Sequence, residues 1–127
     1  MGTYTEIFVN ADLVADTPKS VIDTLSAICE RDLQYIINNN LPKKWSILFC
    51  NGSYYTPNTS IAPLTCDDGD YSILGKGDIK DGGEIDLFFE FIAPWCDGNF
   101  IGYSRVEHDD EPQIKYRDEI IKSMEIK

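Results

Sequence analysis

Hydrophobic and polar positions follow two different periods along the chain, and these periods predict where strands and helices lie. From Tyr4 to Leu13 the two kinds of residue alternate imperfectly, which predicts a strand that is covered on both faces or lies near a sheet edge. Thr17 and Pro18 then suit the cap and the first position of a helix. The apolar residues that follow have helical spacing: Val21, Ile22, Leu25, Ile28 and Cys29. Residues Leu33 to Ile37 are expected to extend this helix or to form a short second turn.

The stretch from Trp45 to Lys80 contains short apolar and aromatic runs separated by Gly, Pro and Asp, a pattern typical of antiparallel strands. Asn51-Gly52 predicts a tight hairpin turn between a strand at Trp45–Cys50 and a second at Ser53–Thr56. A further hairpin is expected around the acidic turn that begins at Asp67. Its strands are Ile61–Cys66 and Tyr71–Gly75, and Gly75-Lys76-Gly77 predicts a bulge or a turn after it.

The segment Glu84–Ala93 fits two structures. Ile85, Phe88 and Phe89 have helical spacing, which would turn both phenylalanines toward the sheet, yet apolar and acidic residues also alternate as in a strand. The length of the segment and its acidic first turn favour the helix, because carboxylates stabilise the positive end of a helix. Pro94 ends it.

A last hairpin is predicted from Phe100–Glu107 and Pro112–Tyr116, followed by a weakly helical tail that frays from about Asp118. The chain shows no internal repeat, no low-complexity run and no linker. The sequence therefore predicts one α+β domain over residues 1–127, with two main helices packed on an antiparallel sheet built from short hairpins.

The charge of the chain restricts its partners. It has 22 acidic and 11 basic residues, a net charge of −11, which repels nucleic-acid phosphates and anionic membranes and favours basic proteins. No apolar run is long enough to span a membrane, and the N-terminal residues lack the regions of a secretory signal. The predicted protein-binding residues are the carboxylates of two acidic turns: Asp67, Asp68, Asp70, Asp109, Asp110 and Glu111.

No arrangement of residues indicates catalysis, a metal or a cofactor. The single histidine, His108, lies in an acidic turn with no nucleophile beside it in sequence. The turn Asp67–Asp70 does not match the spacing of a calcium-binding EF-hand loop. The four cysteines lie too far apart in sequence for a zinc motif and are expected to be free thiols: Cys29, Cys50, Cys66 and Cys96.

An alternative site is centred on Lys76. Gly75-Lys76-Gly77 lacks the spacing of a phosphate-binding loop and is followed by a carboxylate at Asp78. If the two central hairpins are neighbours, however, Lys76 lies near Tyr54 and Tyr55. These three residues would then form a pocket for a small anionic ligand or a nucleotide, a second hypothesis beside protein binding.

Several segments together resemble an uncharacterised family of small proteins encoded by bacteriophages and prophages of gut bacteria: Tyr4–Leu13, Lys44–Pro57, Leu74–Lys80, Phe88–Trp95 and Phe100–Tyr103. The resemblance extends from Tyr4 to about Tyr116 and implies an accessory protein in the cytoplasm of a bacterial host. The leading hypothesis is therefore an acidic protein that binds a basic host or defence protein, for example at a nucleic-acid-binding groove. The sequence does not indicate an oligomeric state.

Overall fold

A computed structural model describes residues 4–49, 64–80, 83–107 and 111–126. Within these ranges the chain forms six strands, four α-helices and two short 3₁₀ helices. The strands are β1 Tyr4–Leu13, β2 Leu64–Asp67, β3 Asp70–Lys80, β4 Cys96–Asp97, β5 Phe100–Val106 and β6 Gln113–Tyr116. The α-helices are α1 Lys19–Cys29, α2 Leu33–Asn38, α3 Glu84–Ile92 and α4 Arg117–Ile126, and the 3₁₀ helices are Lys43–Ile47 and Ala93–Trp95.

The strands form one antiparallel sheet in the order β2-β3-β1-β5-β6, with β4 paired to the end of β1. Strand β1 is central, since it pairs with β3 from Tyr4 to Asp12 and with β5 from Thr5 to Val9. The succession of β1, α1, β2, β3, α3 and β5 corresponds to the split βαβ arrangement. The predicted α+β class is confirmed, whereas the expectation of an edge position for β1 is wrong.

The two faces of the sheet differ in burial. The odd-numbered residues of β1 are buried, and those that are apolar, such as Ile7 and Val9, share one core with apolar side chains of α1, α2 and α3. The even-numbered residues, from Tyr4 to Asp12, are exposed or half-buried. Phe8, the most apolar of these, does not belong to the core formed by the described residues. Among the described residues, the helices cover one face of the sheet and no element covers the other, which we term the open face. In this part of the chain β1 is therefore covered on one face only.

Helix α3 supplies the largest side chains of the core. Phe88 and Phe89 are both fully buried, and the Trp45 and Phe49 rings meet the edge of the Phe88 ring at centroid distances of 5.7 Å. Adjacent residues can both face a core from a helix, whereas they alternate between the two faces of a strand. The helical interpretation of Glu84–Ala93 is confirmed.

The predicted strand Trp45–Cys50 is wrong, because the described part of that segment forms a 3₁₀ helix and a turn. Trp45 and Leu48 are both buried, and a spacing of three places residues on one side of a 3₁₀ helix. The Trp45 indole N–H also donates to the backbone carbonyl of Glu84 at 3.0 Å, which fixes the turn against α3. The partner strand Ser53–Thr56 and the turn before it lie outside the described residues.

The second hairpin is confirmed as β2 and β3, joined by a turn in which Asp68 and Gly69 have positive φ angles of 52° and 84°. Residues 61–63 of its predicted first strand lie outside the described residues. The bulge or turn predicted at Gly75-Lys76-Gly77 is wrong, because these residues continue β3. Gly75 and Gly77 lie opposite Val9 and Ile7 of β1 in uninterrupted register. The irregularity lies instead in β5, between Phe100 and Gly102.

The C-terminal hairpin is confirmed as β5 and β6. The tail is helical as predicted and forms α4, which begins at Arg117. Ile120 and Ile121 of α4 pack against the core. The Thr17 hydroxyl does not cap α1, since it donates to the carbonyl of Val14 at 2.6 Å, and the helix begins at Lys19. Leu33 begins a separate short helix rather than an extension of α1.

The described cysteines are free thiols in different environments. Cys66 is exposed, Cys29 is half-buried and Cys96 is buried. Burial raises the pKa of the Cys29 thiol to about 11 and the pKa of the Cys96 thiol to about 12. Cys50 lies outside the described residues.

In the native protein at pH 8, Cys66 is therefore expected to react with a thiol reagent much faster than Cys29 and Cys96, because the thiolate is the reactive form. In denaturant without reductant, all four cysteines of the chain should react. Thiol titration with peptide mapping measures both. Fewer than four reactive groups in denaturant, or equal rates in the native protein, would contradict this account.

Candidate protein-binding surface

The open face of the sheet is organised around one row of side chains that runs across four strands. Lys76 of β3 lies opposite Phe8 of β1, Phe8 lies opposite Tyr103 of β5, and Tyr103 lies opposite Ile114 of β6. Directly opposite residues of an antiparallel pair share a face of the sheet. The Phe8 and Tyr103 rings stack with centroids 5.2 Å apart and an angle of 24° between their planes. The centre of the open face is thus aromatic.

Further apolar side chains surround this row. Leu74, two residues before Lys76 on β3, is 57% exposed. Phe100 and Tyr116 are paired in register on β5 and β6, and their rings meet edge to face at 6.5 Å. The exposed large apolar residues that the register places on this face are Tyr4, Leu74, Phe100, Ile114 and Tyr116. Clustered exposed apolar side chains on one face are typical of interaction sites.

Charged groups on the open face are largely balanced. The Glu6 carboxylate lies 3.9 Å from the Arg105 guanidinium and accepts a hydrogen bond of 3.0 Å from the Tyr103 hydroxyl. Toward the end of β1, the Asp12 carboxylate accepts a hydrogen bond of 2.7 Å from the Ser72 hydroxyl. These contacts fix polar side chains around the aromatic centre.

The two predicted acidic turns lie at opposite ends of the sheet. Because Ser72 pairs with Asp12, the turn that contains Asp67, Asp68 and Asp70 projects beyond the C-terminal end of β1. The exposed Asp97 lies opposite Asp12 at this same end. The carboxylates here form one acidic end of the open face.

The turn between β5 and β6 lies at the other end of the sheet, where the Glu107 N–H donates to the carbonyl of Tyr4 at 2.8 Å. Glu111 is exposed there, while Asp109, Asp110 and His108 lie outside the described residues. Strand β1 has ten residues, so the two ends are about 30 Å apart. The fold does not bring the predicted acidic turns together. It places the Asp67–Asp70 turn at one end of the open face, and the described flanks of the second turn, Glu107 and Glu111, at the other.

Lys76, the centre of the predicted anionic-ligand site, lies on the open face beside Phe8. Tyr54 and Tyr55, its predicted partners, are outside the described residues. The open-face residues Phe8, Leu74 and Tyr103 were not predicted as site residues. Phe8 is the residue from which this surface could have been predicted. An apolar residue on the second face of a strand indicates either that another element packs on that face or that the face is an exposed apolar surface.

A groove of about 440 Å³ lies on the helical side of the sheet, between α3, β6 and α4. Its floor includes Lys115, whose ammonium lies 2.9 Å from an Asp86 carboxylate oxygen and 5.7 Å from the centroid of the Phe89 ring. The carboxylate residues of the lining are Asp86, Glu90 and Glu119, and Leu87 and Ile120 add apolar surface. Within the groove, Asp86 is thus already paired with Lys115. Sequence patterns gave no signal for it.

Within the described ranges, no set of three or more histidine, cysteine or carboxylate side chains has the geometry to hold a metal ion. No described helix is long and apolar enough to cross a membrane. Comparisons of the chain with models of protein families, with curated proteins and with solved structures find no match.

Proposed function

We propose that this protein is a non-enzymatic binding protein that docks the open face of its sheet on a basic partner protein. The supporting observation is the exposed aromatic and apolar centre of that face, flanked by acidic ends. Protein interfaces commonly have an apolar, aromatic core surrounded by a polar rim. The open face has this anatomy.

The charge of the chain selects the chemistry of the partner. A net charge of −11 opposes binding to nucleic acids and to anionic membranes, and it also opposes the docking of two copies of the chain on each other. A protein with an apolar patch and basic residues on both sides, about 30 Å apart, is complementary to the open face and its ends.

The resemblance to phage and prophage proteins extends the proposal. On that basis the partner is a protein of the bacterial host or of its defence system, and binding takes place in the host cytoplasm. A basic nucleic-acid-binding groove is a suitable target, since the Lys and Arg side chains that neutralise phosphates there would also pair with carboxylates. The acidic protein would compete there with the nucleic acid.

A second candidate function, the binding of a small anion or nucleotide, is favoured by one observation. The register places Lys76 directly beside Phe8, which stacks on Tyr103. Under this alternative, addition of a nucleoside triphosphate should shift the NMR resonances of Phe8 and Tyr103 and of Lys76. A basic partner protein should shift resonances across the whole open face and its acidic ends.

Neutralising an acidic end is expected to slow association with the partner more than it speeds dissociation, because charge steering acts on encounter. One variant replaces Asp67, Asp68 and Asp70 with Asn, and a second replaces Asp109, Asp110 and Glu111 with the corresponding amides. The partner is first captured from a bacterial lysate on the immobilised protein and identified by mass spectrometry. Binding kinetics are then measured for both variants at two salt concentrations.

Wild-type association should slow at the higher salt concentration, since screening shortens to about 8 Å at physiological ionic strength. Both variants should retain the wild-type melting temperature, because turn side chains contribute little to the core. Association rates that are independent of salt and equal in all three proteins would contradict the role of the acidic ends.

A further inference from the structure

We propose that the partner docks an amphipathic α-helix on the open face, with the helix lying across the strands and its apolar stripe on the aromatic centre. The proposal rests on the proposed function, because it specifies which element of the basic partner occupies that face. It follows from the direction of the apolar surface, from its width and from the backbone pairing of the strands beneath it.

The apolar surface of the open face runs across the strands rather than along them. The β1 side chains on this face alternate between apolar and polar along the strand: Tyr4, Glu6, Phe8, Asn10 and Asp12. Across the strands, Phe8 lies opposite Tyr103, and Tyr103 lies opposite Ile114. Leu74 of β3 lies diagonally beside Phe8, because it pairs with Asn10. A complementary partner therefore presents an apolar stripe that crosses β3, β1, β5 and β6.

The dimensions of this apolar band match those of a helix. The strands from β3 to β6 span about 14 Å between the outer two axes, which is close to the length of a helix of about ten residues. The polar residues that border the band on β1 are Glu6 and Asn10, which the strand separates by about 13 Å. A helix with its side chains is about 10–12 Å wide. One helix therefore covers the band and leaves these polar residues at its edges.

The backbone of the central strand disfavours an extended segment laid on this face. Strand β1 is paired with β3 on one side and with β5 on the other, so its N–H and C=O groups are used within the sheet. A partner strand lying on top would bury its own backbone groups without hydrogen-bond partners, which is costly for every group. A helix bonds these groups internally. A second sheet would bury the polar side chains beside Phe8, since it presents a whole apolar face where a helix presents a stripe.

The charges at the two ends of the sheet indicate basic residues on both sides of the apolar stripe of the partner helix. Asp68, Asp70 and Asp97 are exposed beyond the C-terminal end of β1, and Glu111 is exposed at the other end. Because the helix crosses the strands, these ends face its two flanks and not its termini. Lys and Arg side chains extend along apolar surface toward such carboxylates. The partner element is thus a helix of about three turns, apolar on one stripe and basic beside it.

The test uses two acetylated peptide amides as probes, each built from seven leucines and seven lysines. In the helical probe the leucines have the spacing i, i+3, i+4, i+7, and in the alternating probe leucine and lysine alternate. Titration of the ¹⁵N-labelled protein, followed by NMR, gives the dissociation constant of each probe and the residues whose resonances shift. We expect the helical probe to bind about tenfold more tightly, because the alternating probe leaves its backbone unpaired on this face. Its shifts should centre on Phe8, Leu74 and Tyr103, and circular dichroism should show that it gains helix on binding.

Two protein variants locate the helical probe. Leu74→Ser should weaken its binding about tenfold, because the substitution removes apolar surface from the band. Leu33→Ser, on the covered side of the sheet, should bind within about twofold of the wild type. Both side chains are exposed in the free protein, and near-ultraviolet circular dichroism confirms that each variant retains the fold.

Three results would overturn the helix proposal and leave the proposed function in place: equal affinities of the two probes, equal weakening by the two substitutions, or shifts confined to the acidic ends or to β6. The proposed function fails on a different result, an unchanged affinity of the captured partner for Leu74→Ser.

Discussion

Replacing Phe88 with alanine is expected to lower the free energy of unfolding by about 3–5 kcal/mol, and replacing Phe89 should have an effect of similar size. Both side chains are fully buried. The Phe88 ring lies in edge-to-face or angled contact with the rings of Trp45, Phe49 and Phe89. Truncation removes these contacts and leaves a cavity that the surrounding sheet and helices fill only in part. Urea unfolding monitored by circular dichroism measures the change.

Leu87→Ala is the matched control. Leu87 directly precedes Phe88 on the same helix, but its side chain is about half exposed. It should change the free energy of unfolding by less than about 1 kcal/mol, because it removes little buried apolar surface. A small loss for both phenylalanines would contradict the packing of α3 on the sheet. A large loss for one and almost none for the other would instead favour a strand, in which neighbours face opposite sides.

The elements that could be predicted from the sequence are those specified by local periodicity. Helices α1 and α3 and the hairpins β2–β3 and β5–β6 were predicted in this way, because each apolar pattern repeats with the period of its element. The strand predicted from Trp45 was wrong because a short apolar run fits both a strand and a 3₁₀ helix. In the fold this segment makes contacts that are distant in sequence, among them the hydrogen bond from the Trp45 indole to the carbonyl of Glu84.

The bulge or turn predicted at Gly75-Lys76-Gly77 was wrong for a related reason. Glycine locally favours a turn or a bulge, but the neighbour in the sheet decides whether a strand continues. In this fold Gly75 and Gly77 pair with Val9 and Ile7 of the central strand, and this pairing continues β3 through both glycines. A single sequence does not indicate which strands will be neighbours.

The sequence predicted individual residues of the candidate binding surface, but not how they come together. The acidic turns are visible in the sequence, but their placement at opposite ends of β1 depends on the sheet order. The row of Lys76, Phe8, Tyr103 and Ile114 draws on four strands, so only the register brings it together. The groove beside Lys115 depends on how α4 packs against α3, for which the weak periodicity of the tail gave no information.

Replacing Leu74 with serine is expected to weaken binding to the captured basic partner by about 30-fold, which corresponds to about 2 kcal/mol. Leu74 is the most exposed large apolar residue of the open face and lies next to its aromatic centre. Burial of such a side chain at an interface contributes strongly, whereas its removal from the free protein changes little, since it is already in water. The expected loss is mainly in the dissociation rate, because the net charge that steers encounter is unchanged.

Leu33→Ser is the matched control. Leu33 is 46% exposed, comparable with Leu74 at 57%, but it lies on α2, on the covered side of the sheet. The substitution makes the same chemical change and leaves the net charge unaltered. Both variants should unfold near the wild-type temperature, so a difference in binding reports the surface and not the stability of the fold.

The most direct test of the open face as the docking surface is the dissociation constant of the captured partner for the wild type, Leu74→Ser and Leu33→Ser. We expect a loss of about 30-fold for Leu74→Ser, and binding within about twofold of the wild type for Leu33→Ser, which should lose no interface contact. Equal affinities for all three proteins, or a larger loss for Leu33→Ser than for Leu74→Ser, would contradict it.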